Sequence, residues 1–473
     1  MANNEFGDFQ TNPSLSKKVV KLLRDMTGTP ATIVEPTCGE GNLIAATFDA
    51  FPDAVIHGLE INEKYIAKLE KKFQFQSKFI LHKADYFKFD WDDLVPRMAK
   101  PVWIVGNPPW VTNSQLMKLE STNLPKKSPQ QNLTGFQAQT GKSNFDISES
   151  MIRNWFDWCF ECDGSLAVIC KTSVARKILQ WWWKNGKPSP SARMYLIDSK
   201  AEFDVSVSAC ILVCTFSREP SKKVCEIFET PDAVAPSSKF GLIDGYLVSD
   251  ADAFARGRYI LGDATPRWRS GLKHDASAVL ELQPSLGGAY RNRLDENVEL
   301  EADYVFPLMK GSDIGSERIR QIDRAILVPQ SRMGEDTNLI AGVAPKTWQY
   351  LQSHKAAFLN RKSVIYKKGG DFSIFGIGDY SFKPWKVAIG ALYKNIKFRL
   401  VGPINGKPVM FDDTVYFIGF DTREEALKYF EILQTQSHQN FIRSMVFLDD
   451  MRPIKTEILN RMNLDAATEK VAA

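Results

Sequence analysis

Up to Phe216 the chain alternates short apolar runs with stretches of helical period, and few backbone arrangements satisfy that alternation. The runs Thr32–Val34, Val55–Leu59, Phe79–Leu81, Val102–Val105, Leu166–Cys170, Met194–Ile197 and Cys210–Thr215 are predicted strands. Leu43–Phe51 and Lys64–Phe73 carry the helical period between them. Strands joined through helices pair in parallel, because a crossover needs a dozen or more residues. The prediction is an α/β fold, a doubly wound, Rossmann-like sheet with helices on both faces. Past Phe216 the pattern stops, and Pro231-Asp-Ala-Val-Ala-Pro-Ser-Ser238 reads as a linker. The expected division is a first domain over 1–218, a linker over 219–239, a mixed α+β domain over 240–462 and a frayed tail over 463–473. A helix is expected at Arg423–Gln434, with Ala426, Leu427, Phe430 and Leu433 on its apolar side.

Composition narrows the class. No apolar run approaches the ~20 residues that span a bilayer, and the first residues, Met1 to Asp8, lack a basic-then-apolar leader pattern. A cytoplasmic protein is expected. Cys159 and Cys162 have Cys-x-x-Cys spacing but sit among Trp155, Phe156, Trp158 and Phe160, so they read as packing residues, and no metal site is expected. The net charge of +4 conceals an asymmetry. Between Lys355 and Lys407, eleven Lys and Arg face only Asp371 and Asp379, a local +9 that leaves −5 for the rest of the chain. A basic stretch of that density, interleaved with Tyr366, Phe372, Phe375, Tyr380, Phe382, Trp385, Tyr393 and Phe398, suits a polyanion. Lys362, Lys367, Lys368, Lys383, Lys386 and Lys394 are the candidate phosphate contacts.

The first predicted strand runs into Glu35-Pro-Thr-Cys-Gly-Glu-Gly-Asn42 and then a helix. Gly39 and Gly41 permit a tight turn and close approach of a ligand. Glu35 at the mouth of this loop would repel a pyrophosphate but suits a ligand with a positive amino group, such as S-adenosylmethionine. Glu60 ends the second strand about twenty residues past the glycines, where a carboxylate accepts from ribose hydroxyls in doubly wound folds. The third strand leads to Asp85-Tyr86. There Asp85 is placed to accept from the adenine amino group of the ligand, with Tyr86 and Ile61 flanking its ring.

The fourth strand ends in Asn107-Pro108-Pro109-Trp110. Consecutive prolines cannot continue a ladder, and they fix a rigid turn. That turn presents the Asn107 side-chain oxygen and the Pro108 carbonyl to one point. The exocyclic amine of a base is conjugated into its ring and is a poor nucleophile. Two acceptors on its N–H groups favour a pyramidal nitrogen whose lone pair can attack a methyl group. Trp110 supplies a flat face for the base.

These motifs resemble the gamma-arranged N6-adenine DNA methyltransferases, typified by the TaqI methyltransferase. Gly7-Asp-Phe-Gln-Thr11 is similar to the short N-terminal motif, which would place Thr11 against the methionine part of the cofactor; Asn12 stands where the family usually has Pro. Glu35, Thr37, Cys38, Gly39 and Gly41 match the cofactor loop, Glu60 with Ile61 the ribose pair, and Asp85 with Tyr86 the adenine pair. Asn107, Pro108, Pro109 and Trp110 match the catalytic tetrapeptide, with Trp where Tyr is commoner. Gly141–Ser148 resembles the next motif. Lys200–Ala209 resembles a late motif whose Phe, here Phe203, stacks on the flipped base opposite the catalytic aromatic.

The resemblance spans roughly Phe6 to Phe216. It implies S-adenosylmethionine as cofactor, duplex DNA as substrate, a C-terminal target-recognition domain and a place in a restriction-modification system. No nuclease signature is visible, so a cognate endonuclease would be a separate chain. N4-cytosine methylation, and N-methylation of an rRNA base or a protein glutamine, use the same geometry and stay open. Glutamine enzymes of that kind have little after the catalytic domain, the reverse of this layout. A non-catalytic specificity subunit is disfavoured because the motifs are intact.

Overall fold

The computed structural model describes residues 9–26, 28–111, 146–219, 221–316, 322–363, 365–366 and 370–464. They form two compact units, which divide between Asp252 and Ala253.

Unit one is built on β1 (Thr32–Glu35), β2 (Val55–Glu60), β3 (Phe79–Lys83), β4 (Val102–Gly106), β5 (Ser165–Lys171), β6 (Ser191–Ile197), β7 (Ala209–Thr215), β8 (Val224–Phe228), β9 (Ser238–Ile243) and β10 (Tyr246–Val248). Among the described residues these make a ten-stranded sheet in the order β10-β9-β8-β6-β7-β5-β4-β1-β2-β3. From β3 to β5 neighbours are parallel, while β7 runs antiparallel to both β5 and β6. β1, β4 and most of β5 and β7 are buried along their length, as expected of strands covered on both faces.

The covering helices are α1 (Pro13–Met26), α2 (Asn42–Ala50), α3 (Glu63–Lys72), the single turn α4 (Trp91–Leu94), α5 (Ile147–Glu161), α6 (Thr172–Lys184) and α7 (Ser199–Phe203). α1 and α2 lay Leu15, Val19, Leu23 and Ile44 on Ile33, Ala167, Ile169 and Ile211 of the sheet. α5 brings Trp155 against Gly106, where even an added Cβ would stand 3.0 Å from the indole. The three tryptophans 181–183 belong to α6. Trp182 and Trp183 are fully buried, their indoles donating to the Pro188 carbonyl and to Ser189, so these two are core, while Trp181 is half-buried. Cys159 and Cys162 are likewise buried.

The sheet extends beyond the limit read from the sequence. The expected linker contains β8, which pairs with β6 and β9, and the Pro-Ser-Ala stretch is only the connection between β8 and β9. The signal was missed because Val224-Cys-Glu-Ile-Phe228 buries just Cys225 and Phe228, too little to make a continuous apolar run. Residues 240–252 therefore belong to the first unit. The tail boundary also shifts. Met462 bridges to Leu261, the Asn463 N–H donates to the Ile260 carbonyl and Leu464 is buried; the rest of the expected tail lies outside the described residues.

Among the described residues, unit two contains a four-stranded sheet of β11 (Arg269–Ser270), β17 (Trp385–Gly390), β18 (Phe398–Val401) and β20 (Val415–Phe420). A six-stranded sheet joins β12 (Glu281–Pro284), β13 (Tyr290–Asn292), β14 (Asn297–Val298), β15 (Val305–Met309), β16 (Ala325–Leu327) and β19 (Met410–Phe411). The helix Arg423–Gln434 forms as expected, with the Thr422 hydroxyl accepting from the Glu425 N–H at its start.

Candidate active site

In a doubly wound sheet, ligands bind outside the carboxyl ends of the strands, where the strand order reverses. Here the reversal lies between β1 and β4, whose carboxyl ends deliver Glu35 and Asn107. A cavity of about 310 Å³ opens there, lined by Thr11, Glu35, Thr37, Cys38, Gly39, Glu60, Ile61, Tyr86, Asn107 and Pro109 among others. Motifs up to a hundred residues apart thus meet in one place.

The loop after β1 owes its shape to its glycines. Gly39 has φ +50° and Gly41 +71°, the left-handed region that glycine adopts without a steric cost. Gly41 also opens α2, where a Cβ would fall 2.4 Å from Leu69. Cys38 is buried beneath the loop, its N–H donating to the Leu59 carbonyl. Glu60 accepts from the N–H groups of Gly39 (2.8 Å), Ile61 (3.0 Å) and Asn62 (2.8 Å), so its carboxylate also ties the glycine loop to the end of β2.

Glu35 is almost wholly buried, and burial pushes its carboxyl well above the usual carboxylate range, against a backbone hydrogen bond from Ile44. Its Oε2, the Thr37 hydroxyl and the Asn107 Oδ1 are all buried without a hydrogen-bond partner among the described residues. Orphaned polar atoms of this kind need a polar partner, either water or a ligand. Here two acceptors and a hydroxyl converge on one cavity.

Residues 9–12 cross this site as a strap. The Gln10 side-chain oxygen accepts from the Glu40 N–H (2.8 Å), and the Thr11 carbonyl accepts from the Asn42 amide (2.9 Å). Asn107 donates through Nδ2 to the Phe9 carbonyl (2.7 Å) and to the Thr11 hydroxyl (3.2 Å). Both donors of that amide are therefore used, which fixes its orientation and leaves Oδ1 as a free acceptor. Behind the turn, Lys171 at the end of β5 donates to the Trp110 carbonyl (3.3 Å) and pairs with Asp146 (2.7 Å), which also caps α5. Pro108 is buried and Pro109 half-buried.

Trp110 and Phe203 come together from sequence positions far apart, with centroids 5.2 Å apart and planes at 72°. A base sandwiched between parallel rings needs ~7 Å, two contact distances, so the rings touch and must part to admit one. The Trp110 indole N–H is buried without a partner among the described residues. Phe9 completes the cluster, 5.4 Å from Trp110 and 6.1 Å from Phe203.

One expected contact, that of Asp85, is built differently. The Asp85 carboxylate accepts from its own turn at the Phe87 N–H (3.0 Å) and pairs with Lys88, and it faces a shallow groove beside α3. Tyr86 lines the cavity, but its hydroxyl is held by the Trp155 indole (3.1 Å) and burial raises its pKa. The sequence reading gave no role to Phe9, Gln10, Tyr65, Phe87 and Met151, which also line the cavity. Only the neighbourhood of Thr11 pointed to the first two. Of the Gly141–Ser148 motif, residues 141–145 lie outside the described residues.

No family model matches the chain. It is 42% identical over 471 residues to the type II methyltransferase M.NspV of Nostoc sp. (strain ATCC 29411 / PCC 7524), covering 99% of this chain and 98% of the relative. The chain belongs to the type II methyltransferases. This type II methyltransferase is also 30% identical, over 106 residues, to the modification methylase CviBIII of Paramecium bursaria Chlorella virus NC1A, covering 22% of this chain and 26% of that one. Its fold is similar to that of the restriction-modification enzyme MmeI, solved in complex with DNA. The TM-score is 0.52 at 14% identity, over 96% of this chain and 64% of MmeI.

The basic segment of the methyltransferase is largely spent on its own fold. Lys386, an expected phosphate contact, is instead buried in β17 with Nζ donating to the Val409 carbonyl (2.8 Å), and burial lowers its pKa to about 7. β17 is buried at every position from Lys386 to Gly390, so both its faces are covered, which a charge count cannot register. Lys383 pairs with Asp421, Lys355 with Asp371, and Arg361, Arg399 and Lys407 donate to backbone carbonyls. Lys362 and Lys394 are exposed, while Lys367 and Lys368 lie outside the described residues. None of the described helices is long and apolar enough to cross a membrane.

Proposed function

We propose that this methyltransferase transfers a methyl group from S-adenosylmethionine to N6 of an adenine flipped out of duplex DNA, in the gamma arrangement. The observation that carries the reading is the Asn107 amide, whose Nδ2 is held by the strap while Oδ1 is left buried and free at the cavity wall. The residues present fit the cofactor. Glu35 offers a buried carboxylate to a cation, the Thr37 hydroxyl has no partner among the described residues, and Ile61 and Tyr86 both line the cavity that would take a flat ring. When bound, S-adenosylmethionine supplies a methyl group activated by its sulfonium.

The chain's own residues would do the rest. Asn107 Oδ1 and the Pro108 carbonyl accept the two N–H groups of the target amine and direct its lone pair. An amide oxygen is too weak a base to take the proton first, so the neutral amine attacks directly, no enzyme nucleophile is required, and the methylated nitrogen would then shed its extra proton to water. Trp110 and Phe203 part to hold the extruded base, whose stacking is worth ~1–3 kcal/mol against a flipping cost of a few kcal/mol. Lys362 and Lys394 are the exposed candidates for phosphate contact, and the cognate endonuclease would be a separate chain.

The test is expression in cells free of DNA methylation, followed by nucleoside mass spectrometry and sequencing of the modified sites. N6-methyladenine in one sequence context is expected. N4-methylcytosine, or unmodified DNA, would overturn the adenine assignment.

A further inference from the structure

Asn12 stands at the start of α1, where the Leu15 N–H donates to its Oδ1 (2.9 Å). That hydrogen bond is an ordinary helix cap and leaves the amide nitrogen for other use. Nδ2 donates to Glu202 Oε2 at 2.5 Å, across 190 residues of chain. Glu202 lies in α7, one residue before Phe203. A helix of five residues is marginal by itself, so beyond its Asp198 cap and the Ser199 hydroxyl's bonds to the following segment, α7 depends on ties to other elements. Asn12 also ends the strap, whose preceding residues contact the glycine loop through Gln10 and Thr11 and the Asn107 amide through Phe9 and Thr11. One four-residue stretch therefore reaches the cofactor loop, the catalytic amide and the helix that carries Phe203.

We propose that Asn12 and Glu202 are a positioning pair for the target base: their hydrogen bond sets α7, and with it the placement of Phe203 opposite Trp110. This rests on the reading of Trp110 and Phe203 as the walls of the base pocket. It also gives a physical role to the residue that departs from the resembled motif. A proline at this position would have no side-chain donor to offer.

The pair can be separated from the cap by chemistry. Asn12→Asp keeps a good helix cap but removes the donor and sets two carboxylates against each other. Glu202→Gln leaves an acceptor for Asn12, and in the double variant its new amide donates to the new carboxylate, restoring the bond with its sense reversed. The readouts are single-turnover methyl transfer to unmodified DNA by the full chain, and the Kd for S-adenosylmethionine.

Asn12→Asp is expected to slow transfer by about tenfold, with the cofactor Kd changed by less than about threefold, since Gln10 and Thr11 still hold the strap. Glu202→Gln alone and the double variant are expected within about threefold of the parent rate. Glu202→Ala removes the acceptor without touching α1, should slow transfer in the same direction, and decides the matter if Asn12→Asp fails to fold. A parent-like rate in both Asn12→Asp and Glu202→Ala refutes the positioning role. So does a double variant as slow as Asn12→Asp. If instead Trp110→Ala and Phe203→Ala leave the rate unchanged, the base-wall reading itself is refuted and the pair's role falls with it. The assay counts methyl groups on DNA, so its outcome is independent of which base atom receives them.

Discussion

Replacing Asn107 with alanine removes two separable things. One is Oδ1, the buried acceptor with no partner among the described residues. The other is Nδ2, which anchors the strap at the Phe9 carbonyl and the Thr11 hydroxyl. A preorganised group aimed at developing charge in a shielded site is worth roughly 2.7–4 kcal/mol, or 10²–10³ in kcat. A strap hydrogen bond contributes only about 0.5–1.5 kcal/mol, and Gln10 and the Thr11 carbonyl keep their own ties to the glycine loop. Asn107→Ala should therefore lower kcat by about 10²–10³ while weakening cofactor binding by no more than about a hundredfold, the two strap bonds together contributing about 1–3 kcal/mol. Transfer of isotope-labelled methyl groups to DNA measures the first effect, and titration calorimetry with S-adenosylmethionine the second. Turnover within about tenfold of the parent, or a loss confined to cofactor binding, would refute the assignment of Oδ1 to the amine.

Burial raises the Glu35 pKa, and a cationic ligand needs that carboxylate ionised, so binding releases a proton. Cofactor affinity should rise with pH through that raised pKa and then level off. Glu35→Gln should flatten the profile, and an unchanged slope would remove Glu35 from the site. Lys386, with its pKa lowered to about 7 by burial, penalises the folded state fully below that value, and the penalty fades as pH rises toward 10.5. Lys386→Met should raise the melting temperature at neutral pH, by an amount that shrinks in alkali, without altering the salt dependence of DNA binding. By contrast, Lys362→Ala and Lys394→Ala should each make the log-affinity against log-salt slope shallower by about 0.9 if they neutralise phosphates; an unaltered slope places the duplex elsewhere. A fluorescent purine analogue at the target position should brighten on binding, and more so in Trp110→Ala, whose methylation rate should fall. Rates within about twofold of the parent for both Trp110→Ala and Phe203→Ala would show that neither ring holds the base.

The features legible in the sequence are those decided locally. Val34-Glu35 followed by Gly39 and Gly41 announces a strand, a tight turn and a helix because only glycine takes the left-handed φ cheaply. Asn107-Pro-Pro-Trp110 announces a rigid strand end because proline ends a ladder wherever it stands. The buried strands β1, β4, β5 and β7 could be read as apolar runs, but the switch point that gathers Glu35 and Asn107 follows from their spatial order in the sheet. What the sequence left undecided depends on residues that meet only in three dimensions. β8 buries too few side chains to be seen until β6 and β9 flank it. Lys386 counts as one more surface cation until β17 is found between β18 and β20, where it is buried. The Asn107 amide is ambiguous by sequence. Its oxygen becomes the free acceptor only because Phe9 and Thr11, almost a hundred residues earlier, take both of its N–H groups. Local backbone chemistry is written in neighbouring residues, whereas the direction in which a side chain points, and whether its partners are already taken, is settled by segments that only the tertiary fold brings together.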